Sequence, residues 1–583
     1  MDRFIAMRVL FGHFLLLVSG SLFSQNWEWA ASAGGFASDK STDMGIDPAG
    51  NVYVCGYFNG QANFGTISSG SGFGKQGFLA RIDSQGVWQW MREADGGWDE
   101  RVLGMCVDSV NGFIYVTGCY WTWGPGSQLS FGSYTSFNNP GDADEIFVGK
   151  FDYSGNCLWL IGAGGASDDH GYDLATDQSG NIYLTGFVSN EYYPNPEVAT
   201  FGSLSSTPMN MGDSLGFVAK ISPAGVFQWV RTFEAVDGER DNRIAVDLAG
   251  NSYITGGFWG NKQFGSQTVA SNGGTDIFVV KYDASGTMQW LRTVGSTYDE
   301  RGNGITIDPY GDIYVTGEFR DRLVFGTDSL NNNGGPGGRD IFVAKITAAG
   351  NWIWAKKAGS DKGGERGNRI ISNKTGDLFV TGQFKDSARF GSTITLSGDP
   401  DSIQVFVACI DTGGKWRWAL EAGGPVEDRG NGIAADDSCH LYVCGYYQQT
   451  AVFDSAISLN AQSRKDVFVA KIGEACWSQI LPPPPPPPPL LPECTLVVPN
   501  VFTPNEDGRN DAFRLDTACV LELSLDIYNR WGNKMTHLSG PDQKWDGTFD
   551  GKQASEGVYY YAGSATLANG DVVALKGFVT LIR

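Results

Sequence analysis

The chain has 583 residues, with 64 acidic against 42 lysine and arginine side chains and a formal charge of −22. A surface this acidic repels phosphodiester backbones and anionic lipid, so nucleic acid is excluded as a partner, while cations and neutral polymers remain open. The length allows two or more domains. Eighty glycines, 13% aromatics and few apolar patterns of helical length point to an all-β protein rich in turns.

Residues 1–24 read as a secretory signal peptide. Arg3 and Arg8 form a basic start, VLFGHFLLLV an apolar run, and SGSLFS a small polar exit, leaving Gln25 as the first mature residue. The apolar run is too short to cross a bilayer as a helix. No other stretch of the chain is a candidate, so no membrane-spanning segment is expected in the mature chain.

Residues 25–480 repeat one phrase seven times. Its central aromatic stands at Tyr53, Tyr115, Tyr183, Tyr253, Tyr314, Phe379 and Tyr442, at intervals of 61 to 70 residues. A fixed period of this size means stacked supersecondary units, none of which buries its apolar face alone. Each unit runs from an apolar segment ending in Asp or Asn, through a turn, to a YVTG-type strand. An FG dipeptide, an IFVAK-type strand, D-x-x-G and a tryptophan strand follow. That makes four strands per unit, with a fifth short one expected around FG. Four-stranded sheets repeated around an axis predict a seven-bladed β-propeller. The first tryptophan strand, WEWAASAGG, has no unit before it, and the seventh unit ends with a stub around Trp477. Trp27 and Trp29 are therefore expected in one sheet with Tyr442 and Phe468. The YVTG, FG and DIFVAK phrases resemble the SBBP family of bacterial propeller repeats over about 450 residues. That resemblance implies the fold and no settled activity.

Seven residues before the Asp or Asn that closes each first segment stand Lys40, Arg101, His170, Arg240, Arg301, Arg366 and Arg429. One residue earlier stand Asp39, Glu100, Asp169, Glu239, Glu300, Glu365 and Asp428. Neighbours in extended chain point to opposite sides, so one set is expected at the central channel and the other against a neighbouring blade. Two roles fit: an interblade salt-bridge girdle, for which arginine's planar fork is suited, or a charged channel mouth that captures an anion. Units two and three carry the longest loops, where Trp121, Trp123, Tyr192 and Tyr193 offer an aromatic platform for a sugar or a protein.

Catalytic signals are poor. His170, His440 and His537 lie in different units or domains, and no zinc-type His/Cys spacing, GxSxG or P-loop appears. The acids recur in every unit, as structural positions do, so no enzyme activity and no catalytic residue is expected.

Residues 481–493 are a proline run, a semi-rigid polyproline II spacer. Residues 494–583 abandon the repeat, and alternating strands with Gly, Asn and Asp turns predict a small immunoglobulin-like β-sandwich. The phrases FTPNEDGRND, YNRWG, WDG, GVYYY and KGFVTLIR resemble the gliding motility-associated C-terminal domain, the type B sorting domain of type IX secretion. The resemblance implies passage through the periplasm, recognition by the type IX translocon, and a final place on the cell surface or outside the cell. Its recognition elements would fall on Asn505, Asp507, Asn510, Asp511, Asn529, Arg530, Trp531, Gly532, Trp545, Asp546 and Gly547, with Trp531 and Trp545 expected in packing. Asn505, Asp507 and Asp511 partly resemble a calcium loop without its full spacing, so calcium is the one cofactor considered. Of ten cysteines, Cys494 and Cys519 are the preferred disulfide. Cys106 and Cys119 sit on neighbouring predicted strands and could bridge. Cys55 and Cys444 share a repeat position. The chain thus reads as an exported binding or adhesion protein for a glycan or surface protein, with an extracellular polysaccharide hydrolase or a ligand-free spacer as alternatives.

Overall fold

The computed structural model describes residues 25–476 and 498–583, apart from 71–73, 97, 122–127, 137–142, 191–196, 208, 211, 235–241, 335–337, 463, 474, 508, 516–519 and 568–571. The signal segment, the proline run, Cys494 and Cys519 lie outside the described residues. The chain divides into two units, 1–481 and 482–583. Every described element is a strand, and no described helix is long and apolar enough to cross a membrane.

The first unit is a β-propeller. Its basic sheet is an antiparallel meander such as Lys40–Ile46, Val52–Asn59, Lys75–Ile82 and Trp88–Ala94. The same four-strand order recurs in four sheets of four strands and three of six among the described residues. The last sheet is completed from the other end of the chain. Trp27–Gly35 pairs with Asp466–Ile472, with Ser32 opposite Phe468, and Tyr442 stands opposite Lys471 in the same sheet. The expected clasp of Trp27 and Trp29 onto the seventh repeat is therefore present.

Hydrogen bonds tie each sheet to the next. On the outer strands the second tryptophan donates its indole N–H to a turn carbonyl of the following sheet. The links are Trp29 to Ser84 (3.0 Å), Trp159 to Pro223 (3.2 Å), Trp229 to Ala284 (3.1 Å), Trp290 to Ala348 (3.0 Å), Trp354 to Thr412 (3.0 Å) and Trp418 to Ala475 (3.1 Å). At the remaining seam Arg92 donates to Gly155 and Ser154 in place of an indole. The first tryptophan of a pair, two residues earlier, reaches the preceding sheet instead: Trp27 to Glu421, Trp88 to Ser32, Trp416 to Lys357.

The fifth strand expected around FG is a two-stranded hairpin, and it adds onto the neighbour. Ala62–Phe64 pairs with Trp27–Gly35, and Ser387–Phe390 with Trp352–Gly359. Its phenylalanine packs edge-on against an outer-strand tryptophan, Phe64 on Trp88 at 5.1 Å and Phe390 on Trp416 at 5.1 Å. The following glycine turns in the left-handed region, at φ 60° for Gly65 and Gly326, where a side chain is disfavoured.

The expected sulfur pairings differ. Cys106 and Cys119 are free thiols, since the register sets Arg101 opposite Cys119 and Tyr115 opposite Cys106, at opposite ends of the strand pair. Cys55 and Cys444 are buried free thiols. Among the described residues the disulfide present is Cys439–Cys476, which anchors the stub after Asp466–Ile472.

In the second unit, Val520–Tyr528, Lys534–Leu538, Gly557–Leu567 and Val572–Leu581 form one sheet, with Val501–Phe502 parallel at its edge. The opposite layer is slight: a Phe513–Trp545 bridge and the hairpin Thr548–Phe549/Lys552–Gln553. Phe502, Phe513, Leu525 and Trp545 pack in the core between them.

Candidate functional site

The innermost strands line the channel. Their register slips by one residue at the same place in six sheets, for example between Ser41 and Asp43 and between Gly302 and Gly304. The skipped residues are Thr42, Leu103, Tyr172, Asn303, Asn368 and Asn431. A bulge re-aims side chains locally, and here it turns Asn303, Asn368 and Asn431 towards the next inner strand. Their amides donate to Gly367 (3.1 Å), Gly430 (2.8 Å) and Ser41 (2.8 Å). The last of these joins the seventh repeat to the first.

One residue further on, the column reads Asp43, Gly104, Asp173, Arg243, Gly304, Arg369 and Gly432. The glycines admit close approach, since a Cβ on Gly304 would lie 3.1 Å from the Cα of Arg369. Arg369, largely buried, reaches Asp173 with two hydrogen bonds of 3.0 and 3.1 Å and also bonds Asp43. The three come from different sheets, so this ion triad bars the channel.

Above the triad lies a cup lined by Lys40, Arg243, Arg301, Arg366 and Arg429 with the three asparagines, and no acidic residue among the described ones lines it. Glu318 and Glu427 stand behind this wall, paired to Arg366 at 3.8 Å and to Arg429 at 2.5 Å. Burial, then Lys465 and Arg429, pull the Lys40 ammonium below its ordinary range. Arg101 instead pairs with Asp99 at 2.6 Å. His170 is buried against Asp144 of the preceding sheet, Nε2 to Oδ2 at 2.8 Å. Burial opposes a charged imidazole there, but Cys119 and Asp144 outweigh it and hold its pKa well above the usual histidine range.

The acidic set does not pair with the basic set among the described residues. Asp39, Glu100, Asp169, Glu300, Glu365 and Asp428 are fully buried. They accept hydrogen bonds at the seam with the preceding sheet: Asp39 from Gly35 and Asn59, Asp428 from Gly424 and Gln448, Glu300 from Ser296, and Glu365 from Ser360, where Gly35, Gly424, Ser296 and Ser360 lie at or just past that sheet's outer strand. Burial is the largest influence on each and raises its pKa, to about 7 for Asp39, Glu300 and Asp428 and about 8 for Glu100 and Glu365. The sequence reading missed the asparagine bulge and the triad. Both were signalled by the recurring R-G-N and by the uneven column that follows it.

Trp121 is exposed at a strand end. Trp123, Tyr192, Tyr193, Glu239 and Arg240 lie outside the described residues. In the second unit, the Asn505–Asp511 loop turns its oxygens on its own backbone. Asp511 accepts from Asn505 and Glu506, Asp507 from Arg509, and the Asn510 carbonyl from Thr503. This is Asx-turn chemistry. Trp545 is buried, as expected. Trp531, expected to pack, is 75% exposed at a tight turn where Asn529 caps Trp531 and Asn533. Gly532 supplies the positive φ, and Arg530 lies over the indole at 4.9 Å. Asp546 caps Thr548, and the Gly547 carbonyl receives Arg583.

Residues 496–581 match the CHU_C type IX secretion signal domain, and residues 159–186 match the SBBP β-propeller repeat. An uncharacterized WD repeat-containing protein, L264, of Acanthamoeba polyphaga mimivirus is 23% identical over 407 residues. That match covers 58% of this chain and 29% of the viral protein's length. A solved protein from Lactobacillus plantarum is 14% identical, covering 65% of this chain and 84% of its own, with a TM-score of 0.31. A duf4221 family member from Bacteroides vulgatus is 12% identical, covering 61% and 92%, with a TM-score of 0.29. The chain thus carries a type IX sorting domain, and its destination is secretion or the cell surface.

Proposed function

We propose, for a chain that pairs a β-propeller with a type IX secretion signal domain, that the propeller is a seven-bladed binding module. It would be delivered by way of the periplasm to the cell surface or beyond, and would hold an anionic ligand in the cup. The supporting observation is one of contrast. A protein of net charge −22 gathers Lys40, Arg243, Arg301, Arg366 and Arg429 around one depression with no acid among the described residues of its lining. Arginine forks beside asparagine amides recognise oxyanions such as carboxylate or sulfate. An acidic glycan of a surface or matrix fits this chemistry, and adhesion is its consequence.

On this reading the propeller is no enzyme: the ring acids are engaged by donors at the seams between sheets, and none of the described ones lines the cup. The test is a glycan array of uronic, sulfated and neutral sugars, run on the full chain and on the Arg301→Met/Arg366→Met variant. Binding confined to acidic sugars and lost in the variant, with an unchanged melting temperature, is expected. A lowered melting temperature with binding intact would return these arginines to a purely structural role.

A further inference from the structure

Three positions depart from the repeat, and the fold brings them together. Cys119 lies near the end of a second strand, where other units carry Tyr57, Phe187 or Gln383. Asp144 opens a third strand where they carry Lys75, Thr275 or Arg339. His170 begins an inner strand where they carry lysine or arginine. No other unit has a cysteine at the first position, an acid at the second or a histidine at the third. The thiol, carboxylate and imidazole each offer one ligand atom, and all three atoms lie within 4.8 Å of one another in a buried site.

We propose that Cys119, Asp144 and His170 form a binding site for a divalent transition metal of the zinc class. The donor set is one sulfur, one oxygen and one nitrogen, which suits a borderline-soft tetrahedral ion and leaves a fourth position for water. Nε2 of His170 points at the carboxylate, and its Nδ1 faces the Tyr172 hydroxyl at 3.5 Å, the outer hydrogen bond that orients a ligating imidazole. Oδ1 of Asp144 is buried without a hydrogen-bond partner, a costly state that a cation relieves. Arg101 approaches the other oxygen only to 3.9 Å and is held at 2.6 Å by Asp99, so its charge is already paired. His170 stands at the ring position whose equivalents Lys40, Arg301, Arg366 and Arg429 line the cup.

The alternative is a hydrogen-bonded network that needs no ion. Chelator-treated full-length chain titrated with Co²⁺ as the probe, followed by Zn²⁺ competition, separates the two. We expect one Co²⁺ per chain with tetrahedral ligand-field bands and a thiolate charge-transfer band, displaced by one Zn²⁺. Cys119→Ser should abolish the charge-transfer band. His170→Arg, which restores the residue of the other units and should fold, should abolish stoichiometric binding. Tyr172→Phe should keep the spectrum and weaken binding by about 10- to 100-fold. No stoichiometric uptake, or a charge-transfer band that persists in Cys119→Ser, would overturn the site.

Discussion

A buried carboxylate whose pKa is raised resists ionisation in the fold more than in the unfolded chain. The ring acids Asp39, Glu300 and Asp428 sit at about 7, and Glu100 and Glu365 at about 8. An unfolded Asp or Glu ionises near about 4. Between these values the folded state binds more protons, so stability falls as pH rises from about 4 to about 8 and is greatest on the acid side of that window. Melting temperature should therefore rise as pH is lowered from 8 to 5. The Glu300→Gln/Glu365→Gln variant should flatten that slope, and an unchanged slope would refute the assignment to these acids. Arg369 carries the opposite risk. Arg369→Met leaves Asp43 and Asp173 buried without their cation, a loss of about 3–5 kcal/mol, measurable by denaturant unfolding. Adding Asp43→Asn and Asp173→Asn should recover much of it. The alternation of acid and base was legible in the sequence because it recurs at a fixed offset. The acids' backbone partners were not, because they depend on how the loop after each outer strand folds back.

Among the elements, the tryptophan strands were legible as strands, while the division of labour within each pair was not. Residues two apart in a regular strand share a face, yet Trp27 reaches back to Glu421 and Trp29 forward to Ser84. The register slips by one residue between them, as between Trp88 and Trp90 and between Trp416 and Trp418, and this bulge turns the two indoles to opposite neighbours. The bulge at Asn303, Asn368 and Asn431 was likewise hidden, because a register slip is a property of two strands and not of one. The disulfide Cys439–Cys476 escaped for a similar reason: Cys476 follows the last repeat, and its partner is in a turn of the inner hairpin. It closes a stretch of 37 positions, so Cys439→Ser should cost about 2–4 kcal/mol while leaving far-ultraviolet circular dichroism unchanged.

For the whole molecule, the period of the repeat made the propeller legible, and the phrases of the last 90 residues made the sorting domain legible. The ligand stayed obscure because the cup is assembled from single side chains contributed by strands far apart in sequence. Removal of residues 494–583 should leave a folded propeller held in the periplasm, detected by fractionation; normal surface display or release would contradict the sorting role.

The clasp between Trp27–Gly35 and Asp466–Ile472 has a temporal side. Within the propeller, Trp27–Gly35 precedes every repeat yet pairs with the last, so the nascent chain carries an orphan β-edge until that repeat exists. Loop-closure cost grows only logarithmically with span, and sheets stacking in order bring the two ends together as an open horseshoe. Until that horseshoe snaps shut, its two raw edges invite pairing with another molecule.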